Sequence, residues 1–133
     1  MEDLLPSARA AALWAGPCLI LLMVLSMLTV RQRRTHKIGL GDAGVESLQR
    51  ASRAFGNAAE YIPAGLAVLG LMVLVGAPSL TLHLAGGTLF AGRLIHAIGL
   101  SRSGGVTPER FVGMVITYLF LLCSAVTLIF YAL

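Results

Sequence analysis

Long apolar runs alternate with short polar breaks along this chain, and the spacing of the breaks predicts its elements. The first run, Ala12 to Val30, is long enough to cross a bilayer as a helix, since about 20 apolar residues span the hydrocarbon. Pro17 stands near its outer end as a candidate kink. Arg31, Arg33, Arg34 and Lys37 follow, then a Gly-Leu-Gly-Asp-Ala-Gly turn over 39–44. Asp42 reads as the N-cap of a second helix over 43–76, its carboxylate accepting free backbone N–H groups. The opening of that helix, Val45 to Phe55, is amphipathic and lies at the edge of the hydrocarbon, and Pro63 predicts a bend further in. Ala77, Pro78 and Ser79 leave room for only a tight turn, so the third helix, over 80–100, runs antiparallel beside the second. Gly86, Gly87, Gly92 and Gly99 favour close packing of that third helix. A second turn over 101–109 leads to a last apolar segment over 111–133. The pattern predicts an all-α integral membrane protein: a four-transmembrane-helix bundle in a single domain, 1–133.

Composition agrees with this class: 57% of residues are hydrophobic and 12% charged, outside the range of soluble domains. The formal charge of +4 changes the picture only in one respect. Its basic residues flank apolar segments, which serves membrane orientation, and no nucleic-acid recognition motif accompanies them. The loops after helices 1 and 3 carry most of the Lys and Arg, whereas the 77–79 turn carries none. By the positive-inside rule both termini face away from the cytoplasm. Glu2 and Asp3 stand where a cleaved signal peptide would be basic, so the first run is expected to span. Cys18 and Cys123 fall inside apolar runs and read as small core residues; no metal spacing is present. A phosphate-cradling loop and a nucleophile elbow are also missing from the sequence.

The candidate chemistry gathers on the second helix. Arg53, Asn57 and Glu60 recur at i, i+4 and i+7, one face of a helix, at the entrance to the hydrocarbon. Counting from the uncharged turn at 1.5 Å per residue puts Glu60 and His96 roughly 24 Å deep and Arg93 roughly 20 Å deep. Ionisable groups at that level face the bundle interior or a wet cavity. Two readings stay open at this point. A Glu60–Arg93 ion pair could simply lock two helices. Alternatively the surplus of cations around one acid, with Arg31 and Arg110 at the ends of helices 1 and 4, suits an anionic ligand bearing carboxylates. Tyr61 is either an interfacial anchor or a site residue, His83 reads as structural, and Tyr118 and Tyr131 as packing residues.

Arg53, Asn57, Glu60, Tyr61 and Pro63, at these spacings, resemble the second-helix signature of the MAPEG family, the membrane-associated proteins in eicosanoid and glutathione metabolism. The Gly-Asp-Ala-Gly turn and the Gly-Arg-Leu-Ile-His-Ala-Ile-Gly-Leu run of helix 3 are similar to its bacterial branch. The resemblance implies a homotrimer with glutathione held between subunits near the cytoplasmic face by Arg53, Asn57, Glu60 and Tyr61, with Arg93 and His96 joining from helix 3. It implies that Arg110 or Arg31 favours the glutathione thiolate. The expected activity is that of a glutathione S-transferase or peroxidase working on lipophilic electrophiles, in a bacterial inner membrane. A non-catalytic lipid-binding or helper protein on the same fold is the alternative. Eicosanoid-making members carry tyrosines where this chain has His96 and Leu100. A small transporter or channel component is disfavoured, because polarity does not continue through helices 1 and 4.

Overall fold

A computed structural model describes residues 4–133. Four helices account for almost all of them: α1, Leu4–His36; α2, Glu46–Leu74; α3, Ser79–Arg102; and α4, Pro108–Ala132. All four are long and apolar enough to cross a membrane, and no strand occurs among the described residues. Glu2 and Asp3, used above to argue against a signal peptide, lie outside the described residues.

Helix α1 is longer than its apolar run. Its 33 residues rise about 50 Å, well past a hydrocarbon thickness of about 30 Å. Apolar periodicity marks the membrane crossing, but the helix itself continues through Arg31–Arg34, which are good helix formers. It ends where Lys37 turns left-handed (φ 53°), with Ile38 N–H bonded to Arg33 O at 3.0 Å and Lys37 N–H to Arg34 O at 3.3 Å. That is a Schellman closure, here without the usual glycine. Helix α2 closes the same way at Gly76 (φ 81°), where Ala77 N–H reaches Met72 O at 2.9 Å.

The start of α2 corrects one expectation. Ala43 has φ 50°, so no helix can begin there, and Val45 is the N-cap residue. Asp42 instead accepts the Gly44 N–H at 2.9 Å and so stiffens the loop. The Gly44 N–H is also the main reason its carboxyl sits below the usual carboxylate range. Arg33 completes the turn by donating to the carbonyls of Gly39 (3.2 Å) and Gly41 (3.0 Å). At the other end, Thr107 caps α4 by accepting Arg110 N–H at 3.3 Å, with Pro108 in the first turn.

Helix α3 is the element on which the others assemble. It touches α1, α2 and α4, whereas α1 and α4 do not meet among the described residues. Glycine permits this. A Cβ on Gly113 of α4 would lie 2.5 Å from the His96 backbone nitrogen and 2.7 Å from Gly92 O, so backbone packs on backbone there. A Cβ on Gly86 would fall 2.5 Å from the Trp14 side chain, which seats α1. Ser7 ties the start of α1 to the α2–α3 turn by donating to Ala77 O at 2.7 Å. Outward faces carry Leu13, Ile20, Met23 and Met27 on α1 and Leu119, Leu122, Val126 and Ile129 on α4. Such area would be a liability in water and is matched to lipid. Cys18 is fully buried as expected, but Cys123 is exposed on α4, and both thiols are free.

Candidate functional site

The site grows from one buried cation. Arg93 on α3 is 1% exposed, and its guanidinium bridges α2 and α4. Nη1 donates to Asn57 Oδ1 of α2 at 2.6 Å. Nε and Nη2 donate to Thr117 Oγ1 of α4 at 2.9 and 2.6 Å, and Nη2 also reaches Gly113 O at 3.3 Å. The Thr117 hydroxyl in turn donates to Gly113 O at 2.8 Å. One O–H and two lone pairs are therefore all used, which makes threonine a complete partner at this position. The Tyr61 ring lies under the guanidinium, 4.7 Å from centroid to Cζ. Oxygen acceptors, the Met114 sulfur at 3.4 Å and a π-face surround this charge, and among the described residues no carboxylate pairs with it.

Glu60 does not pair with Arg93. It is exposed on α2, and the one ion pair among the described residues joins Arg50 to Glu46, one turn apart on the same helix. The helix-locking ion pair of the first reading is thus not what holds α2 to α3. The lock is Arg93 with Asn57 and Thr117. Arg53 is exposed as well, so the α2 stripe presents a cation and an anion about 10 Å apart along the axis, with Asn57 between them and Tyr61 just past the anion.

Near the basic end Arg53 and Arg110 converge. They line one cavity of about 160 Å³ with Glu46, Gln49, Arg50 and Leu100. Arg110 is partly spent, since its Nη1 donates to the carbonyls of Gly104 (3.3 Å) and Gly105. His96 is buried at the α3–α4 contact, with its backbone against Gly113. Arg31 does not join the group within one chain. It lies on the outward face of α1, in a groove of about 460 Å³ with Ser26, Met27, Val30 and Arg34. The remaining polar residues have structural partners: His83 Nδ1 accepts Trp14 Nε1–H at 3.2 Å, and Tyr131 packs edge-on against Phe130. Tyr61 is a member of the cluster, with Tyr118 beside it on α4.

Thr117 and Gly113 were not legible beforehand. A lone threonine in an apolar helix usually bonds its own i−4 carbonyl, as Thr117 also does, and nothing in the sequence marks it as an arginine's acceptor.

The polar stripe on α2, the buried arginine on α3 and four spanning helices agree with the family comparison, in which residues 11–130 match the model of the MAPEG family. The chain belongs to the MAPEG family. A relative described as "Inner membrane protein YecN" of Escherichia coli strain K12 is 40% identical over 89 residues, 67% of this chain and 68% of that protein. The protein of the same description from Escherichia coli O6:H1 matches to the same extent. Membership of the family accounts for the four-helix membrane bundle.

Proposed function

We propose that this protein is a membrane-bound, glutathione-dependent transferase or peroxidase acting on lipophilic electrophiles. The observation that carries the reading is the α2 stripe. Arg53 and Glu60 stand exposed and unpaired with each other or with Arg93, while Asn57 between them is held by the Arg93 guanidinium. A peptide carrying both carboxylates and an amine complements that order: carboxylate on Arg53, amine on Glu60, and a peptide amide on the Asn57 side-chain N–H₂. The charge of Arg93 behind Asn57 and Tyr61, with no ion pair among the described residues, makes the pocket positive, which favours a thiolate over a thiol. That thiolate then attacks the electrophilic carbon; a sulfur–carbon bond forms as the leaving group departs with its electron pair.

Because Arg31 faces outward on α1, it can only reach such a ligand from a second copy, and a homotrimer with sites between subunits is part of this proposal. So is placement in an inner membrane with both termini away from the cytoplasm, following the relatives' description and the loop charges. A second reading, a non-catalytic lipid-binding or helper protein, is favoured by one observation. The Nη1 of Arg110 is tied to loop carbonyls, which weakens it as a thiolate partner.

The test is calorimetric titration of glutathione into detergent-purified protein, with Arg53→Ala and Glu60→Ala beside it, and conjugation to a chloronitrobenzene. Saturable binding lost in both variants, with turnover, supports the transferase. Binding without turnover moves the reading to the helper protein. If wild type binds nothing, the ligand assignment falls.

A further inference from the structure

A second feature of the bundle, independent of the α2 stripe, is a cleft between α1 and α3. Leu21 and Leu28 of α1 and Leu94 and Ile98 of α3 form its walls, and Ser101 and Arg102 stand at its mouth, around about 280 Å³. Leu25, Leu28 and Ser101 also line a neighbouring cavity of about 200 Å³, with Gln32, Ser47 and Arg50 on its far side. We propose that this cleft holds one acyl chain of an anionic phospholipid, with the headgroup phosphate on Arg102, in the leaflet at the basic end of the bundle.

Three observations converge. From Leu94 to Arg102 the α3 axis rises about 12 Å, close to one leaflet of hydrocarbon at about 15 Å. The lining changes from leucine and isoleucine to a serine hydroxyl and then a guanidinium, the same order in which an acyl chain, a glycerol ester and a phosphate follow one another. Finally, the cations nearby differ in what they have left to give. Arg50 is held by Glu46 and Ser47 donates to Gln32, whereas Arg102 is exposed and forms no ion pair among the described residues. Basic pockets between membrane helices on this side are known to take anionic headgroups, and a guanidinium matches a phosphate in two-pronged geometry. Leu28, 41% exposed, leaves the cleft open to the bilayer.

Native mass spectrometry of the full-length protein, released from vesicles of equal phosphatidylglycerol and phosphatidylcholine, reads the retained lipid. Wild type is expected to keep phosphatidylglycerol about fivefold over phosphatidylcholine, the contribution of one basic residue at a membrane surface. Arg102→Gln removes that preference, while Arg34→Gln, the same charge change in a different groove, leaves it. Leu28→Trp, at a partly exposed wall position that tolerates bulk, narrows the cleft and lowers retention of both lipids. Equal loss in Arg34→Gln and Arg102→Gln overturns the proposal in favour of diffuse surface charge. Undiminished retention in Leu28→Trp overturns it too. So does disulfide cross-linking of two copies through Ile98→Cys in a Cys123→Ser background, which would put a second subunit in the cleft.

Discussion

Replacing Arg93 by lysine should harm the fold more than replacing it by methionine, against the usual ranking of conservative changes. The structure supplies the terms. Arg93 makes four hydrogen bonds to oxygen acceptors on Asn57, Thr117 and Gly113. Interhelical bonds in membranes are worth ~0.6 kcal/mol on average and at most ~1.7, and a charged donor belongs at the upper end. Opposing them is the desolvation of a cation with no carboxylate beside it among the described residues, several kcal/mol. Lysine keeps the buried charge but has no planar fork, so it can satisfy one or two of those acceptors, and it should unfold about 2–4 kcal/mol more easily than wild type. Methionine removes the charge along with the bonds. Thr117 keeps its own bond to Gly113 O, and only the Asn57 oxygen loses its donor, so the net change should stay within about 2 kcal/mol. A lysine that sheds its proton approaches methionine in cost without falling below it. Reversible unfolding in mixed micelles, followed by circular dichroism, measures the order. A methionine variant clearly less stable than the lysine variant would refute the reasoning, because it would mean that a carboxylate does compensate this charge.

Gly113→Ala should destabilise by about 2–3 kcal/mol, since the added methyl meets backbone atoms that cannot yield. Gly70→Ala, with nothing within 4 Å of its Cβ, should be neutral or stabilising by up to about 1 kcal/mol in the same unfolding assay. Trp14→Phe keeps the packing on Gly86 but loses the bond to His83, and a loss of about 0.6–1 kcal/mol is expected by the same method. The Asp42 carboxyl is lowered in the fold by the Gly44 N–H, so its contribution is present above the ordinary aspartate value and is lost as pH falls through the lowered one. The protection of the Gly44 amide, its exchange relative to a free amide at the same pH, should therefore fall on acidification, and in Asp42→Asn that loss of protection should vanish while the bond survives.

By itself the sequence determined the number of helices, their membrane crossing and the stripe of Arg53, Asn57, Glu60 and Tyr61. Those follow from apolar run length and from the 3.6-residue period, both local properties of one helix. Helix ends were less legible. Ala43 and Lys37 adopt left-handed backbone in a loop whose hydrogen bonds come from Arg33 and Asp42, and a window of sequence does not weigh those bonds. Only the tertiary structure decided what the charged residues do. Depth along parallel axes made Glu60 and Arg93 look like partners, but depth carries no information about azimuth. Arg93 reaches Asn57 and Thr117 because Gly92 and Gly113 bring α4 so close that a threonine hydroxyl and a backbone carbonyl enter its fork. The same packing leaves Glu60 and Arg53 exposed, and it turns Arg31 away on a helix that never meets α4. The choice between a structural lock and a free polar stripe rested on which faces meet, and that depends on all four helices at once.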